Sequence, residues 1–212
     1  FVGAEPYGDS AEPVFDYDNA AFPGITTAEL FREVLVNGYN PIALSDIPFG
    51  PPSHDTLGDV YPSYTQQRTG AYGTQYLADF PADIILLHIG TNGLTDSTIA
   101  SNIDSLKQIL DHIDGIDERI TVILARIINR GTEQPHTPTT NFNVEIENLA
   151  QERIADGDKI IVVNQESALT YPGDMEDNLH PNMTGYGKMA TVWFGALNTF
   201  LPEATERLGG FS

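Results

Sequence analysis

Three segments of the chain are apolar almost without interruption: "DIILLHIG" at 83–90, "RITVILARII" at 119–128 and "KIIVVNQ" at 159–165. Short runs rich in Ile, Val and Leu, without polar alternation, suit strands covered on both faces, which is the condition of a parallel sheet. A parallel sheet constrains everything between its strands, because each strand needs a crossover that returns the chain to the same edge. The intervening sequence supplies helical crossovers. Ile99, Ile103, Leu106, Leu110 and Ile113 advance by four and three and so share one stripe. Phe142, Ile146, Leu149 and Arg153 repeat the pattern, with the aliphatic stem of Arg153 at its edge. Tyr186, Met189, Trp193, Leu197 and Phe200 give a closing helix its expected buried face. The alternation predicts βαβ units with right-handed crossovers and helices over both faces of the sheet.

Ahead of these units, "GITTAELFREVLV" reads as another helix, opened by a capping box of Thr26 and Glu29, with Leu30, Phe31, Val34 and Leu35 on its apolar side. The short "FV" at the start is a further strand-like run. Residues 38 to 78 break the periodicity with clustered Pro, Gly and Tyr, which reads as an insertion or covering loop, "PIAL" being a short strand candidate within it. The 212 residues fit one layered domain.

Hydrophobic residues make up 41% of the chain and charged residues 19%, the composition of a folded protein. A formal charge of −20 with ten Lys plus Arg argues against nucleic acid or an anionic membrane as partner, since a polyanion is repelled over the whole surface. Without cysteine there are no disulfides, no thiol chemistry and no Cys-type zinc site. No run is apolar enough to span a bilayer, and the first residues lack the pattern of a signal peptide. The chain starts at Phe1 and not at Met, as a matured product or a fragment does.

In a parallel α/β sheet ligands gather at the carboxyl ends of the strands. There, Asp177 and His180 in "DNLHP" are spaced so that the carboxylate can hold one ring nitrogen and leave the other facing a substrate, a general base with its orienter. The alternative is a turn capped by Asp177 with His180 at the surface. Asn92, after Gly90 and Thr91, can offer amide donors to the oxyanion of a tetrahedral intermediate, or can belong to an ordinary turn. Gly24 offers a backbone N–H that a substrate oxygen can approach, or is a plain loop glycine.

Taken in order, "FPGITT", "LLHIGTNGL" and "DNLHPNMTGYGKMA" resemble three sequence blocks of the SGNH (GDSL-type) hydrolases, closest to the branch of carbohydrate acetyl esterases. The last block is highly specific, and the glycine block is weak. The resemblance implies a flavodoxin-like, three-layer α/β/α sandwich and hydrolysis of carbohydrate or small acyl esters through an acyl-serine intermediate, with no metal or organic cofactor. It makes His180 the base, Asp177 its partner, and Asn92 and Gly24 oxyanion donors. Gly93 departs from the family, which usually has Asp after GTN.

The family's nucleophile is the serine of Gly-Asp-Ser at the end of its first strand. "YGDS" places Ser10 in such a motif, but Glu5 and Pro6 interrupt the strand that should precede it. Too few residues separate Ser10 from Gly24 to hold a helix and a second strand. The expectation is therefore a nucleophile upstream of Phe1, with Ser10 as the alternative and Ser45 in "ALSD" weaker still. A different class of function, a noncatalytic carbohydrate-binding module, would use the tyrosines of 38–78 to stack on sugar rings. A phospholipase or thioesterase would differ only in the acyl pocket. His88 reads as a core histidine. His54, His112 and His136 lack metal-ligand spacing, and Arg126 reads as a strand-end residue paired with carboxylates. The expected location is secreted or extracellular.

Overall fold

The computed structural model describes residues 25–36, 77 and 81–199. The chain divides into two compact units, 1–25 with 32–81, and 26–31 with 82–212. Of the first unit, Ile25, Leu35 and Leu77 are buried. Nearly all described residues belong to the second.

Helix α1 begins at Thr27–Glu29 and continues as π turns over Leu30–Val36. Its capping box is formed as expected: Thr26 Oγ1 accepts from the Glu29 N–H, and the Glu29 carboxylate accepts from the Thr26 N–H at 2.9 Å. The other elements follow in strict alternation: β1 (Ile84–Leu87), α2 (Ile99–Ile116), β2 (Thr121–Arg126), α3 (Thr137–Asp156), β3 (Ile160–Asn164) and α4 (Met183–Leu197). The strands pair in parallel in the order β1-β2-β3, with Leu86 opposite Ile123 and Ile123 opposite Ile161. Each strand is shorter than its apolar run, because the flanking residues turn off the sheet.

Sheet order follows chain order, so two successive right-handed crossovers put α2 and α3 on the same face. The stripes read from the sequence are the buried ones: Ile103, Leu106, Leu110 and Ile113 on α2, and Phe142, Ile146 and Leu149 on α3. At the ends of these two helices Arg153 binds Asp111, Asp158 and, at 2.8 Å, Asp114. On the other face Ile123, Ala125 and Val163 pack with Trp193 of α4. The result is an α/β fold, a parallel sheet flanked by helices in the manner of an α/β/α sandwich.

The buried face of α4 differs from expectation at Tyr186, which is 44% exposed. Gly185, not Tyr186, marks the contact line: a Cβ there would stand 2.3 Å from the Asp174 carbonyl oxygen. The smallest residue lies where the helix comes closest to its neighbour, and Trp193 is the buried side chain further along the helix. Phe200 lies outside the described residues, as do "FV", Ser10, Gly24, Ser45, His54 and all of 38–78 except Leu77.

Gly90 ends the segment after β1 with φ at +120°, and a Cβ there would meet Phe142 Cε1 at 2.3 Å. Both the backbone and the fully buried ring therefore exclude any other residue. Gly90→Ala is expected to lower stability by about 2–4 kcal/mol in denaturant titration. Combined with Phe142→Ala it should cost less than the sum of the two single changes, since the ring it strikes is gone.

Candidate active site

The carboxyl edge of the sheet is organised around the carboxylate of Glu166, in the turn after β3. Its Oε2 accepts from Arg126 Nη2 at 3.1 Å and Asn143 Nδ2 at 3.0 Å, and its Oε1 accepts from Asn129 Nδ2 at 2.8 Å. The Asn143 carboxamide also pairs with both backbone groups of Ile127, at 2.7 and 2.8 Å, replacing a neighbouring strand where β2 ends. Asn129, 4% exposed, receives the N–H groups of Arg130 and His136 on its Oδ1, at 2.8 and 2.7 Å. One side chain thus pins both ends of the loop after β2. Tyr171 joins the network through its hydroxyl, which accepts from the Asn129 N–H at 2.9 Å and donates to the Glu166 carbonyl. Burial pushes its pKa up to about 12. Most buried polar groups here have partners, and Arg126 Nε makes no hydrogen bond among the described residues.

The segment "DMEDNLHPN" forms a closed turn on this edge. Met175 and Pro181 bridge in antiparallel sense, and the Glu176 N–H donates to the His180 carbonyl at 2.8 Å. The base of the turn is held by Asp174, which accepts from the Thr170 N–H at 2.6 Å and from Lys188 Nζ on α4 at 2.5 Å. Asn182 caps α4 through Gly185 N–H at 3.0 Å. Within the turn, Asp177 Oδ1 accepts from the Leu179 and His180 N–H groups at 2.6 and 2.7 Å, while its Oδ2 lies 2.8 Å from His180 Nδ1. Asp177 therefore both caps the turn and holds the imidazole. An ionised carboxylate only accepts, so Nδ1 carries the proton and Nε2 of a neutral ring is left with its lone pair. Nε2 makes no hydrogen bond among the described residues.

The GTN turn after β1 reaches the same region through the loop after β2. Arg130 Nη2 donates to the Thr91 carbonyl at 3.4 Å, one residue before Asn92. The N–H of the next residue, Gly131, donates to the Asn178 carbonyl at 3.0 Å, one residue after Asp177. Adjacent residues of one loop thus touch both turns. Gly131 also allows this approach, since a Cβ would stand 2.3 Å from the Asp177 carbonyl oxygen. Asn92 is half-buried. Gly93 lies at φ +68° with its carbonyl accepting from Thr98 Oγ1 at 2.9 Å. Beside these turns lies a cavity of about 640 Å³, lined in part by Asp96, Arg130, Gln134, His136 and Asn178.

The structure brings Asp177 and His180 together and sets the Asn92 turn on the same loop; Gly24 lies outside the described residues. Glu166, Asn129 and Arg130 were not singled out as site residues by the sequence reading. The rule that selected GTN, inspection of residues just after a strand, applies equally to "NRG" after β2. His88 accepts from the Ile128 N–H at 3.4 Å, and burial lowers its pKa to about 4. His112 meets Phe31 edge-on at 6.4 Å. Arg126 pairs with Glu166 and, at 3.6 Å, Glu147. Among the described residues no three His, Asp or Glu side chains converge as metal ligands, and no helix is long and apolar enough to cross a membrane.

No family model matches the chain. Over 144 residues, 63% of its length, it is 25% identical to a multidomain esterase of Ruminococcus flavefaciens, of which it spans 18%. Two solved structures share its fold. An acetyl esterase mutant crystallised with acetate ion is 22% identical, with a TM-score of 0.51 over 58% of this chain and 60% of that one. A carbohydrate esterase of family 3 from Talaromyces cellulolyticus is 21% identical, with a TM-score of 0.52 over the same shares. The sequence likeness shows a distant relationship to an esterase, and the two structures show that an acetyl esterase and a carbohydrate esterase share this fold.

The hydrogen bond from His180, followed by those from the Leu179 and His180 N–H groups, lowers the Asp177 pKa to about 2. The unfolded value is about 3.9, so the pair stabilises the fold above that pH and the contribution disappears as pH falls towards 2. With both side chains more than half exposed, the effect on stability is small. The direct observable is the titration of the Asp177 carboxyl carbon by NMR. Its midpoint is expected near pH 2, rising towards the ordinary aspartate value in His180→Ala; an unchanged midpoint would remove the imidazole as the chief cause.

Proposed function

We propose that this chain belongs to a carboxylic ester hydrolase of the SGNH type, which removes acetyl or other small acyl groups from carbohydrate esters. The observation that carries the reading is the Asp177–His180 pair, with Nδ1 held at 2.8 Å and Nε2 left able to accept a proton. In the proposed reaction His180 Nε2 takes the proton of a serine hydroxyl as its oxygen attacks the ester carbonyl. Asp177 stabilises the imidazolium that forms. The side-chain amide of Asn92 and the N–H of Gly24 donate to the tetrahedral oxyanion. His180 then returns its proton to the departing sugar oxygen, and water repeats the sequence to free the acid.

The serine of this scheme comes from outside the described residues, either Ser10 of "YGDS" or a serine ahead of Phe1 in a longer chain. The geometry of the base is independent of that choice. The distant likeness to a multidomain esterase supports ester hydrolysis. A carbohydrate leaving group is the extension made here.

Turnover of 4-nitrophenyl acetate and of acetylated xylo-oligosaccharide, with fluorophosphonate labelling, tests the scheme. With the nucleophile present, His180→Ala is expected to lower kcat by roughly 10²–10⁴-fold. Label on Ser10 that disappears in Ser10→Ala would identify that residue. Labelling and turnover that arise only when an upstream segment is supplied would place the serine there. Oligosaccharide binding with no turnover in either form would replace the hydrolase reading with a noncatalytic binding module.

A further inference from the structure

The chain carries thirty acidic residues against ten basic ones, and most of its described arginines are accordingly claimed by carboxylates. Arg119 holds Asp117, Arg126 holds Glu166 and Glu147, and Arg153 holds three aspartates. Arg130 is the contrast: it is half-buried, lines the cavity beside the dyad turn, and has no carboxylate partner among the described residues. Among the described residues the acceptor of its guanidinium is the Thr91 carbonyl, at 3.4 Å. Burial lowers its pKa, the mark of a charge that has lost water without gaining a counter-ion.

We propose that this cavity is a subsite for a single carboxylate on a hydroxyl-rich ligand, an acidic sugar unit of the esterified carbohydrate, recognised by Arg130. Its assignment as part of an ester substrate rests on the hydrolase reading above. A guanidinium offers a planar fork of donors that matches a carboxylate, and partial burial strengthens the pairing relative to water. The loop presenting it is fixed before any ligand arrives, because Asn129 Oδ1 binds the N–H groups of both Arg130 and His136, so little ordering accompanies binding.

The other walls define the rest of the ligand. Asp96 can only accept, so it opposes a second negative charge and suits a hydroxyl. Thr132, Gln134 and Asn178, also on the wall, are neutral partners for further hydroxyls. The α3 helix end at His136 adds its dipole but few donors. Pro138 has no N–H, and the Thr139 and Thr140 N–H groups already bind the His136 carbonyl. Selectivity for the anion therefore falls on the Arg130 side chain. The overall charge of −20 acts against a densely charged polymer and leaves one isolated carboxylate as the fitting ligand. The contacts of Arg130 to the Asn92 turn and of Gly131 to the Asp177 turn put the subsite beside an ester held between them.

Calorimetric titration of the protein with galacturonate, methyl galactoside and succinate tests the proposal, using wild type, Arg130→Gln and Arg130→Lys. Galacturonate is expected to bind at least about ten-fold more tightly than methyl galactoside. That preference should vanish in Arg130→Gln and survive in part in Arg130→Lys, which keeps the charge but not the fork. Equal binding of the two sugars, or a preference that survives Arg130→Gln, overturns the proposal. Succinate binding as tightly as galacturonate overturns the sugar assignment and points to a dicarboxylic acyl group. Should Arg130→Gln fail to fold, the Arg130 Nε–H resonance of the wild type decides: it must move with galacturonate and not with methyl galactoside. Turnover of 4-nitrophenyl acetate is measured separately. Arg130-dependent galacturonate binding without any turnover, even with the upstream segment supplied, would sink the hydrolase reading and leave the subsite standing.

Discussion

One half-buried carboxylate holds the carboxyl edge of the sheet together. Glu166 follows β3, yet it binds Arg126 at the end of β2, Asn129 in the loop after it, and Asn143 inside α3. A parallel sheet delivers several loops to this edge but does not fix their mutual positions. Here the positions are fixed by donors converging on one acceptor in a half-buried setting, where removing any partner leaves others unsatisfied. The loop that touches both the Asn92 turn and the Asp177–His180 turn is anchored to that carboxylate through Asn129.

The division of labour between support and chemistry follows from exposure. The support is buried: Asn129, Asn143 and Asp174 are all 5% exposed or less. The dyad is open to solvent, with His180 66% and Asp177 56% exposed. An exposed ion pair adds little to stability, so the fold does not need His180 where it stands. A turn cap needs only Asp177 Oδ1 and the two N–H groups it accepts. The second oxygen and the imidazole it holds are surplus to the turn, as the proposed catalytic role requires.

The sheet and its crossovers were legible because each depends on a pattern within one segment. The three Ile/Val/Leu runs became β1, β2 and β3, and the stripes through Ile103 and Phe142 became the buried faces of α2 and α3. The capping box at Thr26 and the Asp177–His180 contact were legible for the same reason, since their partners are three residues apart. Glu166, Asn129 and Arg130 were not, because each is a single polar residue whose meaning lies in partners far along the chain. Tyr186 misled because periodicity finds apolar residues, whereas the closest approach of α4 is set by the absence of a side chain at Gly185.

The central claim is that the Asn92 turn and the His180 ring share one space at the carboxyl edge. A chain without cysteine permits a single nitroxide at position 92, introduced through Asn92→Cys, and its paramagnetic broadening reports on proximity directly. The account predicts strong broadening of the His180 ring protons and of Asn178, with Ile120 at the opposite edge left sharp. A sharp His180 signal beside a broadened Ile120 would contradict it.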